Sequence, residues 1–199
     1  MLQVKNLSKS FSNIPILNNV NFSLKLGEIC AIIGNNGSGK TTFLKCVSGL
    51  MNFETGSIEF SSTNGHLFLS DKLNIFGDLT IEENLKVIST YHNQNYDKIF
   101  FDDSLAILNI EQFKDMPLKF LSRGNVQRNK LCMAMNLKWD YLLIDEPFSN
   151  LDKEGVKTFR DIFNNFKLEN KSIIYSTHQN NRELVYDKII SIEDFKASK

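Results

Sequence analysis

Gly34, Asn35, Asn36, Gly37, Ser38, Gly39, Lys40, Thr41 and Thr42 follow the pattern G-x-x-x-x-G-K-[ST]. Each residue type in it has a use toward phosphate. The glycines let the backbone wrap so that its N–H groups point inward at anionic oxygens. Lys40 supplies a cation for the β- and γ-phosphates, and Thr41 a hydroxyl for Mg²⁺. A helix opening near Lys40 adds the positive end of its dipole. A second group stands far along the chain, where Tyr141-Leu142-Leu143-Ile144 runs into Asp145 and Glu146. Asp145 suits the shell of a Mg²⁺ ion, and Glu146 suits a general base that polarises an attacking water. Taken alone, the first pattern could be a Gly-rich turn and the second a solvated acid pair. Their joint presence implies hydrolysis of a nucleoside triphosphate with Mg²⁺ as cofactor.

These residues need strand ends and helix starts to hold them. Ile29–Ile33 is a continuous apolar run, as expected of a strand buried on both faces, and it leads directly into the glycine loop. Helical pattern follows over Thr41–Leu50. Earlier, Leu2–Asn6 and Val20–Leu26 alternate, with Val20, Phe22, Leu24 and Leu26 on one face. Short strands are expected at Ser57–Phe60 and His66–Leu69. Thr80 and Glu83 form a capping box that opens a helix running to about Tyr91. Further helices are expected at Phe101–Leu108 and Gly124–Leu137. The last third alternates: strand Tyr141–Ile144, helix Lys153–Phe166, strand Ser172–Ser176, helix 182–185, strand Lys188–Ile192. Such alternation implies a parallel α/β core, whose ligands gather beyond the carboxyl ends of the strands. Both chemical groups leave such ends.

Composition narrows the partners. Across 199 residues the formal net charge is +0, which gives no electrostatic case for nucleic acid. Apolar runs fall short of the roughly 18 residues a spanning helix needs. The opening MLQVKNLSKSF lacks the apolar block of a signal peptide. Cys30, Cys46 and Cys132 have no metal-like spacing and are expected to be free thiols.

The stretch Leu142–Asp152, LLIDEPFSNLD, resembles the Walker B motif and D-loop of the ATP-binding cassette (ABC) ATPases. Upstream, Leu121-Ser122-Arg123-Gly124-Asn125-Val126-Gln127-Arg128 resembles that family's LSGGQxQR signature, and Ser176-Thr177-His178 its switch histidine. Order and spacing agree from Leu2 to Ile192. The resemblance implies a P-loop α/β fold in a single ABC ATPase domain over 1–199. Its α/β core, with an antiparallel β subdomain, would cover 1–70 and 139–199, and a helical subdomain carrying the signature 71–138. It implies that two cassettes, as homodimer or heterodimer, meet head to tail around two ATPs. Lys40, Glu146 and His178 would be catalytic. Residues Gly34–Thr42, Phe11 against adenine, and the mate's Ser122 and Gly124 would bind ATP. Thr41 and Asp145 would hold Mg²⁺, and Ser149, Asn150 and Asp152 would cross the interface. The partner implied is a transmembrane transporter subunit, which would hold the protein on the cytoplasmic face of the cell membrane. A minimal cassette of this length resembles haem exporters of cytochrome c maturation.

Departures from the pattern keep alternatives open. The family's Q-loop glutamine is missing from Ser70-Asp71-Lys72-Leu73-Asn74, where Asp71 could take over as a metal ligand. Arg123 and Asn125 replace the usual signature Gly and Gln. A soluble relative such as an iron–sulfur assembly ATPase, or a nucleotide-binding regulator with impaired hydrolysis, is the alternative.

Overall fold

The computed structural model describes residues 1–70, 75–178 and 184–195. The chain divides into two compact units. One comprises Met1–Phe68, Trp139–Pro147 and Phe163–Lys199; the other comprises Leu69–Lys138 and Phe148–Ile162.

In the first unit, β1 (Leu2–Phe11) and β2 (Ile14–Leu24) form an antiparallel hairpin. Ser12 and Asn13 turn it with φ of 49° and 66°, the positive values that a two-residue hairpin turn requires. β4 (Thr55–Phe60) pairs with the other edge of β1. Leu2, Val4 and Leu7 of β1 are buried, as are Val20, Phe22 and Leu24 of β2. Leu26 does not continue that buried stripe: β2 ends at Leu24 and Leu26 is exposed.

The second sheet has the order β5-β6-β7-β3-β8. Its strands are β3 (Ile29–Ile33), β5 (His66–Leu69), β6 (Tyr141–Ile144), β7 (Ser172–Thr177) and β8 (Lys188–Ser191). β3 pairs in parallel with β7 and β8, and β6 in parallel with β7. Ile29–Ile32 and all of β6 are buried, which explains their unbroken apolar sequence. α1 (Lys40–Val47) follows β3 and buries Phe43 and Leu44 in the core. Cys30, Cys46 and Cys132 are free and buried, and burial pushes the Cys30 and Cys132 thiols up to about 12 and that of Cys46 to about 11.

The second unit contains α2 (Ile81–Tyr91), α3 (Lys98–Ile107) and α4 (Arg123–Asn136), and α5 (Lys153–Leu168) begins in it. The capping box forms at α2: Glu83 N–H donates to Thr80 Oγ1 at 3.3 Å, and Thr80 N–H donates to Glu83 Oε2 at 2.8 Å. α3 starts at Lys98, three residues ahead of the expected Phe101, and Asp97 caps it by accepting the N–H groups of Ile99 and Phe100. The helix expected at 182–185 begins on residues outside the described set.

Candidate functional site

β3 delivers the chain to the glycine loop, and α1 begins as the loop closes. Gly39 sits at φ 113°, a left-handed conformation that a side chain would strain. Ser38 Oγ is buried within the loop and has no hydrogen-bond partner among the described residues. Lys40 is only 5% exposed, and its Nζ donates to the carbonyl oxygens of Gly34 (2.7 Å) and Asn35 (3.1 Å). The same Nζ stands 3.5 Å from Glu146 Oε1. The loop ammonium and the carboxylate at the end of β6 therefore share one site.

Strand register assembles the rest. Ile144 of β6 is opposite Tyr175 of β7, so the residues that follow, Asp145 and Ser176, fall side by side. Ser176 Oγ donates to Asp145 Oδ1 and accepts the N–H of Glu146 at 2.9 Å. Thr41 Oγ1 donates to Asp145 Oδ2 at 2.7 Å. Glu146 has φ 47°, unusual for a side chain of its size, and the Ser176 bond helps hold it there. Its Oε2 accepts the His178 N–H at 3.3 Å and lies 2.9 Å from His178 Nδ1. A carboxylate can only accept, so Nδ1 carries the proton in this contact. The sequence reading names Asp145, Glu146 and His178 and gives Ser176 no role of its own; the available signal is its place at the carboxyl end of a strand, directly before Thr177 and His178.

Phe11, 45% exposed, lies with Ile16, residues 36–42 and Glu146 around a cavity of about 360 Å³. The lining combines the polar groups of the loop with an aromatic ring, as in a site for a nucleotide. The donor set fits Mg²⁺, a hard cation that is usually held by one or two carboxylates plus substrate phosphates: Thr41 Oγ1 and the Asp145 carboxylate are adjacent oxygens. Asp71 lies outside the described residues.

The signature residues belong to the second unit. Ser122 caps α4 by accepting the Asn125 N–H at 3.2 Å, and Ser122 and Arg123 are exposed. A Cβ on Gly124 would stand 2.7 Å from the Asn150 carbonyl oxygen, so packing alone demands glycine there. Ser149 Oγ accepts Gln127 Nε2–H at 3.0 Å, and Asn150 Nδ2 donates to the same oxygen at 3.3 Å. Asp152 accepts the Gly155 N–H at 2.8 Å, capping α5, and pairs with Arg128 at 3.0 Å. Arg128 also donates to the Leu108 carbonyl at 2.8 Å. Ser149, Asn150 and Asp152 thus each have a partner inside their own unit. Ser122, Gly124 and Asn125 line a hollow of about 200 Å³ with Arg128 and Asn150–Asp152.

The family model described as "ABC transporter" matches residues 17–149. An ABC transporter ATP-binding protein of Methanocaldococcus jannaschii, MJ1023, is 32% identical over 98% of this chain and 75% of its own length. The cytochrome c biogenesis ATP-binding export protein of Vibrio vulnificus is 31% identical, covering 90% of this chain and 92% of that protein. Among solved structures, the dimeric form of a bacterial ABC transporter cassette, MJ0796, superposes with a TM-score of 0.85 at 22% identity, over 96% of this chain and 94% of that one.

Proposed function

Because this chain belongs to the ABC transporter family, as an ATP-binding and ATP-hydrolysing subunit that acts with membrane subunits, we propose how its own residues perform the reaction. The glycine loop binds the triphosphate through its N–H groups, with Ser38 Oγ as a further donor. Lys40 exchanges the Gly34 and Asn35 carbonyls for the β- and γ-phosphate oxygens. Phe11 stacks on the adenine ring. Thr41 and Asp145 hold Mg²⁺, which neutralises charge on the phosphates when bound. Ser176 fixes the free Asp145 oxygen and the Glu146 backbone together.

Glu146 takes the proton of the attacking water. His178 donates Nδ1–H to Glu146 Oε2 and so orients that carboxylate. A second cassette, of this chain or a related one, brings Ser122, Gly124 and the start of α4 to the γ-phosphate. Ser149, Asn150 and Asp152 lie at that interface. The helical unit docks on a transmembrane chain, which places the protein at the cytoplasmic face of a membrane and selects the cargo. Among the described residues no helix is long and apolar enough to cross a membrane, so the link runs through that partner.

One observation carries the reading: Lys40, Thr41, Asp145, Glu146, Ser176 and His178 form a single connected set of contacts. Purified Glu146→Gln should bind ATP and dimerise, while turnover falls by about 100-fold or more. Unchanged turnover would remove Glu146 as the base.

A further inference from the structure

The end of β8 lies behind the glycine loop. Ile33 and Ser191 are partners in the parallel pairing of β3 and β8, so the residues after them, Gly34 and Ile192, leave the sheet side by side. The chain then coils into a short 3₁₀ turn, Ile192–Phe195. Ile192 is fully buried, and its two γ-carbons face the Cβ positions of Gly34 and Gly39 at the two ends of the loop. A Cβ on Gly34 would overlap Ile192 Cγ2, and one on Gly39 would lie 3.8 Å from Ile192 Cγ1. From the other side Ile16 Cγ2 would stand 2.8 Å from a Gly39 Cβ. The turn is itself anchored: Ser191 Oγ donates to Glu193 Oε2 at 2.7 Å and accepts the Glu193 N–H at 3.3 Å. The Phe195 ring lies 5.2 Å from that of Phe43 in α1.

We propose that Ile192 is a positioning residue for ATP binding, its two γ-carbons bracing the glycine loop at Gly34 and Gly39 in the conformation that receives phosphate. Glycines make the loop able to wrap and also make it soft, so something outside it must hold the wrapped form. A β-branched residue does this with two carbons at fixed angles on one stiff Cβ. The inference rests on reading residues 34–42 as the phosphate loop.

Two substitutions separate bracing from bulk packing. Ile192→Val keeps both γ-carbons and loses a methyl; Ile192→Leu keeps the volume and loses one γ-carbon. Calorimetric titration of the purified full chain with MgATP, together with steady-state turnover, should find Ile192→Val within about twofold of the parent. Ile192→Leu should raise Kd and KM about tenfold with kcat nearly constant, the pattern of lost binding shared by ground and transition states. The reverse order, with Val weaker and Leu like the parent, would show that only core volume matters and would overturn the proposal. If instead Lys40→Ala binds ATP as the parent does, the phosphate-loop reading itself has failed, a result distinct from either order.

Discussion

Three helix starts in this molecule treat their free N–H groups in different ways. α1 opens after Gly39, which has no side chain to cap it. α4 opens after Ser122, whose hydroxyl already accepts one of the helix's own N–H groups. α2 opens after Thr80 in a complete capping box, with Glu82 and Glu83 in its first turn, whereas the first turns of α1 and α4 contain no acid. The first is left open for an anion, the second is partly satisfied by itself, and the third is closed. A helix start binds phosphate only where its donors are unspent and no carboxylate competes. On this scale α1 can hold nucleotide by itself. In the proposed function α4 adds its share when a second cassette carries a nucleotide to it, as a head-to-tail dimer would do.

The largest contrast should come from removing the polar group at each of the first two starts. Lys40→Ala deletes charge-assisted bonds to two phosphates, each worth about 1.5–3 kcal/mol, and should weaken ATP binding by a hundredfold or more. Ser122→Ala removes a cap. It should lower stability by about 1 kcal/mol, leave the ATP affinity of a single copy within about twofold, and reduce turnover about tenfold because the paired state is weakened. Titration calorimetry, urea denaturation and turnover measured on both variants read all three quantities. Equal losses of single-copy affinity would erase the distinction between an open start and a half-satisfied one.

Much of this was legible in local pattern. The strand, glycine loop and helix around Lys40 lie contiguous in sequence, and so do Ser122 with its helix and Thr80 with Glu83. Local chemistry fixes a cap or a wrapped loop within a few residues, so those readings needed no tertiary information. Ser176 was not legible as a partner of Asp145, because only the register of β6 against β7 brings the two together. Gly124 was assigned to phosphate approach, and the Asn150 carbonyl packed against it is a contact between residues 26 apart in the chain. Asp152 was expected at an interface, and its capping of α5 was legible three residues ahead of Gly155 but eclipsed by the motif. Leu26 fitted an alternating stripe that the strand did not extend far enough to bury. Non-local pairing, and the point at which a strand stops, are set by the assembled sheet rather than by the residues themselves.

The smallest expected effect tests the closed start. Glu82 accepts the Tyr96 hydroxyl at 2.6 Å and pairs with Lys98 at 3.1 Å and Lys86 at 3.2 Å. The Tyr96 bond first, then the two ammonium groups, hold its carboxyl down at about 2, below the ordinary 4.5, despite the opposing effect of burial. A carboxyl whose folded value is depressed contributes stability that is complete above its unfolded value and is lost as pH falls toward the folded one. The contribution should therefore be full above about pH 4.5 and disappear as pH drops toward 2. Because the side chain is 28% exposed, water screens the pairs, and Glu82→Gln should cost about 1 kcal/mol at pH 7 rather than the full amount the shift implies. Hydrogen exchange along α2 should show the parent and Glu82→Gln apart at pH 7 and converging at the acid end of that window. A gap that stays constant across the window would mean that Glu82 acts through packing, and that the third helix start is closed by Thr80 and Glu83 alone.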